Sequence, residues 1–294
     1  MNEAVRTTTP LVPLALKDAP ALIESVFPAQ KVSFEAQAER KAVAAQTLTG
    51  LGSYWKGRKP LILVRAIVLG SLLPATDDPE QDLAVFEKLM AFDEESLARR
   101  ALAENALSAT RLQELIPISD PERYFSGRGW RRDITDDDKL VLYRRALVTF
   151  GSYEEKAGLG KRHEEVDQEW LYAPAWKAVN QHYAHLGINA NNIAELVEQL
   201  GMLRYGHRPR AGDTFSGGGS IPFEAARIGC DAYASDLNPI ACMLTWGALN
   251  VIGATPERRA EIERDQQAVF DVIDKEITKL GVEHDEKGNR AKAY

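Results

Sequence analysis

The chain has 294 residues, room for a sizeable core and roughly one or two domains, and its 45% hydrophobic content is that of a globular protein and excludes global disorder. With 36 basic and 43 acidic side chains the net charge is −7, which argues against a surface that binds polyanions all over but leaves room for a local basic channel. No apolar run reaches the ~18 residues of a membrane span. The longest, residues 61–73, is broken by Arg65, Gly70 and Ser71, and the N-terminus has no basic start with a long apolar stretch, so a cytoplasmic protein is expected.

Residues 1–20, punctuated by Thr and Pro, read as a flexible tail, and 21–200 as a mainly helical domain. Its first segments are 21–28 and a helix over 34–45, from the Ala, Gln, Glu and Lys content. Glycines then alternate with aromatic and basic residues over 50–61, and Pro60 is well placed to open a buried apolar helix from Leu61 to Leu73. Residues 81–120 read as helical, with Leu83, Phe86 and Met90 on one face. A loop rich in arginine and aromatics follows over 123–132, and a helix starts near Thr135 with Asp136, Asp137 and Asp138 in its first turn, where the helix dipole favours carboxylates.

Pro174 is expected to begin a helix that carries Trp176, Val179, Tyr183 and Leu186 and ends at Gly187. Ile193, Leu196, Val197 and Leu200 mark the next one. Beyond the glycine-rich stretch, Asn238-Pro239 and Thr255-Pro256 are start signals for helices over 240–251 and from 256 to Gly281. The two cysteines, Cys230 and Cys242, sit beside apolar residues without a Cys-x-x-Cys spacing and read as buried, inert thiols.

Residues 211–239 carry the most informative pattern. A short strand ending at Asp213 runs through Thr214, Phe215, Ser216, Gly217, Gly218, Gly219 and Ser220 into a helix stopped by Gly229. A second strand, 232–235, ends on Asp236, Leu237 and Asn238. Strand, glycine turn, helix, strand and acidic residue are the layout of a nucleotide site of the Rossmann type. The turn has no lysine after Gly219, so it is not a P-loop, and it departs from the spacing preferred for dinucleotides. Backbone N–H groups of Gly217, Gly218 and Gly219, with the helix N-terminus behind them, suit the methionyl carboxylate of S-adenosylmethionine. Asp213 suits its ammonium or sulfonium side, and Asp236, an acceptor with two oxygens, suits both ribose hydroxyls.

On these residues the sequence resembles amino-methyltransferases of the DNA adenine-specific kind. Residues 213–220 resemble their cofactor motif, Asp-Pro-Phe-x-Gly-Ser/Gly-Gly, with Thr214 in place of the proline; residues 235–239 resemble the ribose-binding motif. More closely, most of 20–253 resembles the N-terminal part of a family of large bacterial and archaeal DNA methylases, with an uncharacterised N-terminal domain and a zinc ribbon further on. The segment Trp55-Lys56-Gly57-Arg58-Lys59-Pro60-Leu61 matches that family's aromatic and basic signature. Lys59-Pro60 also resembles a Lys-Pro motif that closes over the methionyl part of the cofactor, and a capped buried helix accounts for it equally well.

The resemblance implies an α/β fold: a Rossmann-like S-adenosylmethionine-dependent methyltransferase sheet, incomplete here, over 201–294, preceded by a mainly helical region. It implies S-adenosylmethionine as cofactor and DNA as partner of the complete protein, in the setting of restriction-modification or phage defence. Such enzymes orient the exocyclic amine with an Asn/Asp/Ser-Pro-Pro-aromatic motif. This sequence has no Pro-Pro dipeptide, no Pro-Cys and no zinc-ribbon cysteines. The expectation is therefore an N-terminal fragment or split subunit whose catalytic part lies elsewhere. The alternative is a non-catalytic nucleotide-fold subunit or interaction module of a DNA modification or defence assembly.

Arg128, Trp130, Arg131 and Arg132 form a candidate nucleic-acid contact, against which stand the neighbouring Asp133 and 136–138 as pairing partners. His163-Glu164 begins like a zinc-protease helix, but position 167 is Asp167. His182 and His185 read as hydrogen-bonded or solvated rather than metal-binding, and Trp170, Trp176 and Tyr183 as core.

Overall fold

The computed structural model describes residues 9–41, Trp55 and 57–280. The predicted pieces at 1–8, 42–54, Lys56 and 281–294 lie outside the described residues. The chain is a mixed α/β protein dominated by helices. In order these are α1 (Leu22–Ser25), α2 (Ala29–Lys41), α3 (Leu61–Leu72), α4 (Pro79–Leu89), α5 (Glu94–Glu104), α6 (Ala109–Leu115), α7 (Asp136–Leu147), α8 (Tyr153–Leu159), α9 (Gln168–His182), α10 (Ile193–Tyr205), α11 (Ser220–Arg227), α12 (Pro239–Gly247) and α13 (Pro256–Leu280). Two small sheets accompany them: an antiparallel hairpin, β1 (Phe125–Ser126) with β2 (Gly129–Trp130), and a parallel pair, β3 (Arg210–Asp213) with β4 (Asp231–Ala234).

Two hydrophobic clusters hold most of this together. The larger joins α2, α3, α4, α9 and α10, and reaches Ala225 of α11 and Cys230 before β4, so one core runs across position 200. The second packs α5, α6 and α7 around Leu112, Leu140, Tyr143 and Leu147. A buried ion pair connects them. Arg100 of α5 donates to both Glu35 oxygens of α2 at 2.8 and 3.0 Å, and the Tyr153 hydroxyl donates to the same carboxylate at 2.7 Å.

Several local expectations change. The described part of the tail is held rather than loose. Leu14 and Leu16 N–H groups donate to Met202 and Leu203 carbonyls, and the Arg204 guanidinium gathers the carbonyls of Leu16, Ala19, Pro20, Leu72 and Leu73. One side chain thus satisfies the end of α3 and the entry segment together. Pro174 sits inside α9 instead of opening it: Asp167 caps the helix by accepting from Trp170 N–H at 2.8 Å. A proline frees the carbonyl four residues back, and here that carbonyl, on Trp170, accepts from Arg99 at 2.9 Å. Helix α12 stops at Gly247 and continues as a π-helical turn, Ala248–Ile252, where the Asn250 side chain takes the Trp246 carbonyl. Cys230 is buried, its thiol pushed up to about 11 by burial, whereas Cys242 lies on the exposed side of α12.

The arginine-rich loop folds as the β1–β2 hairpin because Gly127, at φ 64, opens a two-residue turn. His182 is hydrogen-bonded to Asp82 at 2.7 Å. No described helix is long and apolar enough to cross a membrane.

Helix α3 carries one charge, Arg65, and it is buried. Its Nε donates to Glu224 Oε1 of α11 at 2.9 Å and its Nη1 to the Tyr172 hydroxyl at 2.8 Å, while Arg227 donates to both Glu224 oxygens. Burial lowers the Arg65 pKa, but Tyr172 and the Glu224 carboxylate outweigh it and hold the guanidinium charged. Behind this group lies the 163–165 turn. His163 is buried with no partner on Nε2, and burial together with Arg65, Arg100, Arg227 and Arg162 keeps it neutral, its pKa well below the usual imidazole range. Burial and the neighbouring Glu39 push Glu164 up to about 7, against the opposing pull of Arg162.

Two consequences are measurable. Glu224→Gln leaves Arg65 buried without its counter-charge and should cost about 3–5 kcal/mol in a urea titration; a loss below about 1 kcal/mol would show that the pair is dispensable. Glu164 binds its proton more tightly folded than unfolded, so its contribution to stability is full below its unfolded pKa of about 4.5 and is lost as pH rises through about 7. The stability advantage of the wild type over Glu164→Gln should therefore shrink across that window, while His163, titrating in the opposite sense, cancels from the difference. A pH-independent difference would contradict the assignment.

Candidate functional site

The parallel pair β3–β4, in register from Arg210↔Asp231 to Asp213↔Ala234, places two loops side by side at the C-terminal ends of the strands. Ser235 N–H donates to the Asp213 carbonyl and Ser216 N–H to the Ser235 carbonyl, which ties the loops together. The first loop turns back through Gly219 N–H to Ser216 O at 2.7 Å and enters α11. Thr245 of α12 donates to the buried Ser216 Oγ at 3.1 Å and anchors the turn from behind.

Two glycines have backbone angles that disfavour side chains, Gly217 at φ 50 and Gly219 at φ 77. They also have no room for one. A Cβ on Gly217 would lie 2.6 Å from the Trp55 indole nitrogen, and one on Gly219 would lie 2.9 Å from Thr245 Cα. The N-terminus of α11 has no side-chain cap, and the Ser220 Oγ at its first position is buried without a hydrogen-bond partner. A buried hydroxyl left unpaired costs free energy, so an acceptor supplied by a ligand is the natural complement.

Asp236 faces the same turn. Its Oδ1 accepts from Asn238 N–H and its Oδ2 from Gly217 N–H, each at 2.9 Å, and these two bonds hold its pKa below the usual carboxylate range. A carboxylate has about four lone-pair directions, so two remain for a ligand's hydroxyls. Asp213 is turned toward its own loop, with Oδ1 accepting from Phe215 N–H at 3.0 Å. The Asn238 side chain caps α12 through Ile240 N–H. Phe215 in the first loop is 78% exposed and Leu237 in the second 94% exposed, and Met243 and Trp246 of α12 are exposed as well.

The structure brings the loops 213–220 and 236–238 side by side, and adds Trp55 and Thr245 at the turn and the Arg65–Glu224 pair behind it, which sequence reasoning did not assign to the site. The one legible hint was Arg65, a charge inside an otherwise apolar helix. Pro60 is buried at the N-cap of α3 and Lys59 is exposed; Trp55 upstream of them touches the turn, and Leu61 downstream clusters with Phe223 of α11. The first amides of α3, Leu61 and Ile62, are already satisfied by the Glu39 carboxylate at 2.8 and 3.1 Å. The hairpin residues belong elsewhere. Trp130 packs on Phe125 in the second cluster, Arg131 forms a two-bond pair with Asp133, whose carboxyl is drawn down to about 2, and Arg123 pairs with Asp138. Arg128 and Arg132 are exposed. Among the described residues no group of three or more His, Cys, Asp or Glu is placed to hold a metal.

The two glycines differ in what they meet. Gly219→Ala forces a Cβ against backbone and should lower stability by about 1–3 kcal/mol on thermal denaturation. Gly217→Ala, which meets a movable indole, should cost less. Equal, negligible effects would mean that the turn is not held in this conformation.

Residues 26–89 match the model of a family described as a protein of unknown function, DUF1156, a stretch that covers Trp55, α2, α3 and α4. No curated protein and no solved structure matches the chain.

Proposed function

We propose that the chain is the S-adenosylmethionine-binding part of a DNA methyltransferase that modifies the exocyclic amine of adenine, built on the start of a Rossmann-like sheet. The observation that carries the reading is the glycine turn itself. Its two left-handed glycines leave no room for side chains, its helix end is uncapped, the buried Ser220 Oγ is unpartnered, and Asp236 stands opposite. That donor set fits an amino-acid carboxylate on the helix side, and the acidic side fits ribose hydroxyls or a cationic centre. The cofactor would supply an activated methyl group on its sulfonium; this chain's residues bind and orient it. The step that positions the target amine is assigned to a Pro-Pro-aromatic motif that this sequence does not contain. DNA is the proposed partner of the complete enzyme, and the cytoplasm its location.

A second reading, an interaction module without catalysis, is favoured by the exposed apolar residues Tyr233, Ile240, Met243 and Trp246 beside the two-stranded sheet. Calorimetry separates the two. Binding of S-adenosylmethionine and S-adenosylhomocysteine but not NAD, weakened at least about tenfold by Asp236→Ala, is expected from the first reading. Binding of none of the three would reject it in favour of the second.

A further inference from the structure

We infer that Trp55 is a ligand-binding residue of the glycine turn, and that its indole N–H donates to the carboxylate of the bound amino-acid moiety. The inference rests on the proposed cofactor reading and adds a contact that the sequence pattern did not place in the turn.

The geometry is specific. The three atoms nearest a Cβ built on Gly217 are all indole atoms, Nε1 at 2.6 Å, Cδ1 at 2.9 Å and Cε2 at 3.3 Å, so the nitrogen-bearing edge of the ring faces the turn. An indole N–H donates only, and a half-buried one normally finds an acceptor. It makes no hydrogen bond to another described residue, and the ring is partly covered. A second donor lacks a partner in the same place, since Ser220 Oγ is buried and unpaired at the first position of α11. The uncapped end of α11 adds the partial positive charge of a helix N-terminus. The Gly217 amide between them is already taken by Asp236. The turn therefore carries the Trp55 indole edge at the α-carbon of Gly217, the Ser220 hydroxyl at the start of α11 and the Asp236 carboxylate at the Gly217 amide. A zwitterionic amino acid presents the complementary pair of charges. Trp55 belongs to the 26–89 segment and the turn does not, so the helical layer contributes directly to the site instead of only supporting it.

The test compares ligands with and without the amino-acid end, on the full chain. S-adenosylhomocysteine carries the carboxylate; 5′-methylthioadenosine shares the nucleoside and lacks it. In calorimetry, Trp55→Phe, which keeps an aromatic ring and removes the N–H, should weaken S-adenosylhomocysteine about tenfold or more and leave 5′-methylthioadenosine within about twofold. Trp55→His, which keeps a ring N–H, should recover part of the loss. Should Trp55→Phe fail to fold, 19F spectra of the wild-type chain labelled with 5-fluorotryptophan serve instead, where S-adenosylhomocysteine but not 5′-methylthioadenosine should shift one tryptophan resonance. Unchanged binding in a folded Trp55→Phe, or equal loss of both ligands, would overturn the role of Trp55 and leave the cofactor reading standing. No binding of either ligand by the wild type would overturn both.

Discussion

Arg65 and Glu224 stand 159 positions apart in sequence and 2.9 Å apart in space, and the position of the glycine turn depends on their contact. Helix α11 is eight residues long, too short to persist alone in water. Its apolar anchors are few: Phe223 packs with Leu61 and Ala248, and Ala225 joins the main core. The ion pair fixes what those contacts leave free, the rotation of α11 and its height along α3. Ion pairs of this kind are poor sources of net stability, because desolvation consumes much of the Coulombic gain. Their effect is one of register. An apolar pair in the same place would let α11 slide, whereas two charges sealed from water tolerate only the arrangement in which they meet.

From that fixed register the site follows. Helix α11 is bound to α3 through Glu224, whose carboxylate Arg227 also braces from within α11, and its first turn projects toward the ends of β3 and β4. There Ser235, Ser216 and Thr245 lock the loop by backbone and hydroxyl contacts. The polar atoms left unpaired lie at the exit of the turn, at Ser220 and Trp55. Burial is uneven across the sheet. β3 and β4 meet the core through Ala211 and Ala232, whereas Tyr233 of β4 and Ile240, Met243 and Trp246 of α12 are exposed. Parallel strands are ordinarily covered on both faces. The exposed apolar side chains therefore belong to the same physical question as the turn, whose buried Ser220 hydroxyl is likewise without a partner among the described residues.

Much of this was legible in the sequence, and the remainder divides cleanly by range. The opening of α3 by Pro60, the cap at Thr135, the start of α10 and the whole strand–turn–helix–strand unit all depend on neighbours within a few residues, and they were read correctly. Pro174 was misread because its tolerance inside α9 depends on Arg99 donating to the freed Trp170 carbonyl, a contact made across the fold. The ordering of residues 11–19 depends likewise on Arg204, far along the chain. Cys242 was misplaced because apolar neighbours predict burial only when their helix has a partner, and the outer face of α12 has none among the described residues. At the site, Asp236 and the glycines announce themselves by spacing, Trp55 stands out only as part of the aromatic and basic segment 55–61 with nothing to link it to the turn, and Thr245 carries no local signal.

The same division bears on the helical stretch over 26–89. By length and composition it resembles a self-contained helical unit, yet several of the residues in it that break the apolar pattern act on groups outside it. Arg65 holds α11, Trp55 faces Gly217, and Glu35 binds Arg100 of α5. Glu39 turns inward to cap α3, which keeps the start of that helix from competing for an anion. Among the described residues of this neighbourhood, the uncapped helix end beside an unpaired buried hydroxyl is that of α11. On the proposed reading, a helical layer that satisfies the start of its own α3 and offers an indole edge to the adjacent turn is organised around the glycine turn, and its chemistry is to be sought there rather than within its own helices.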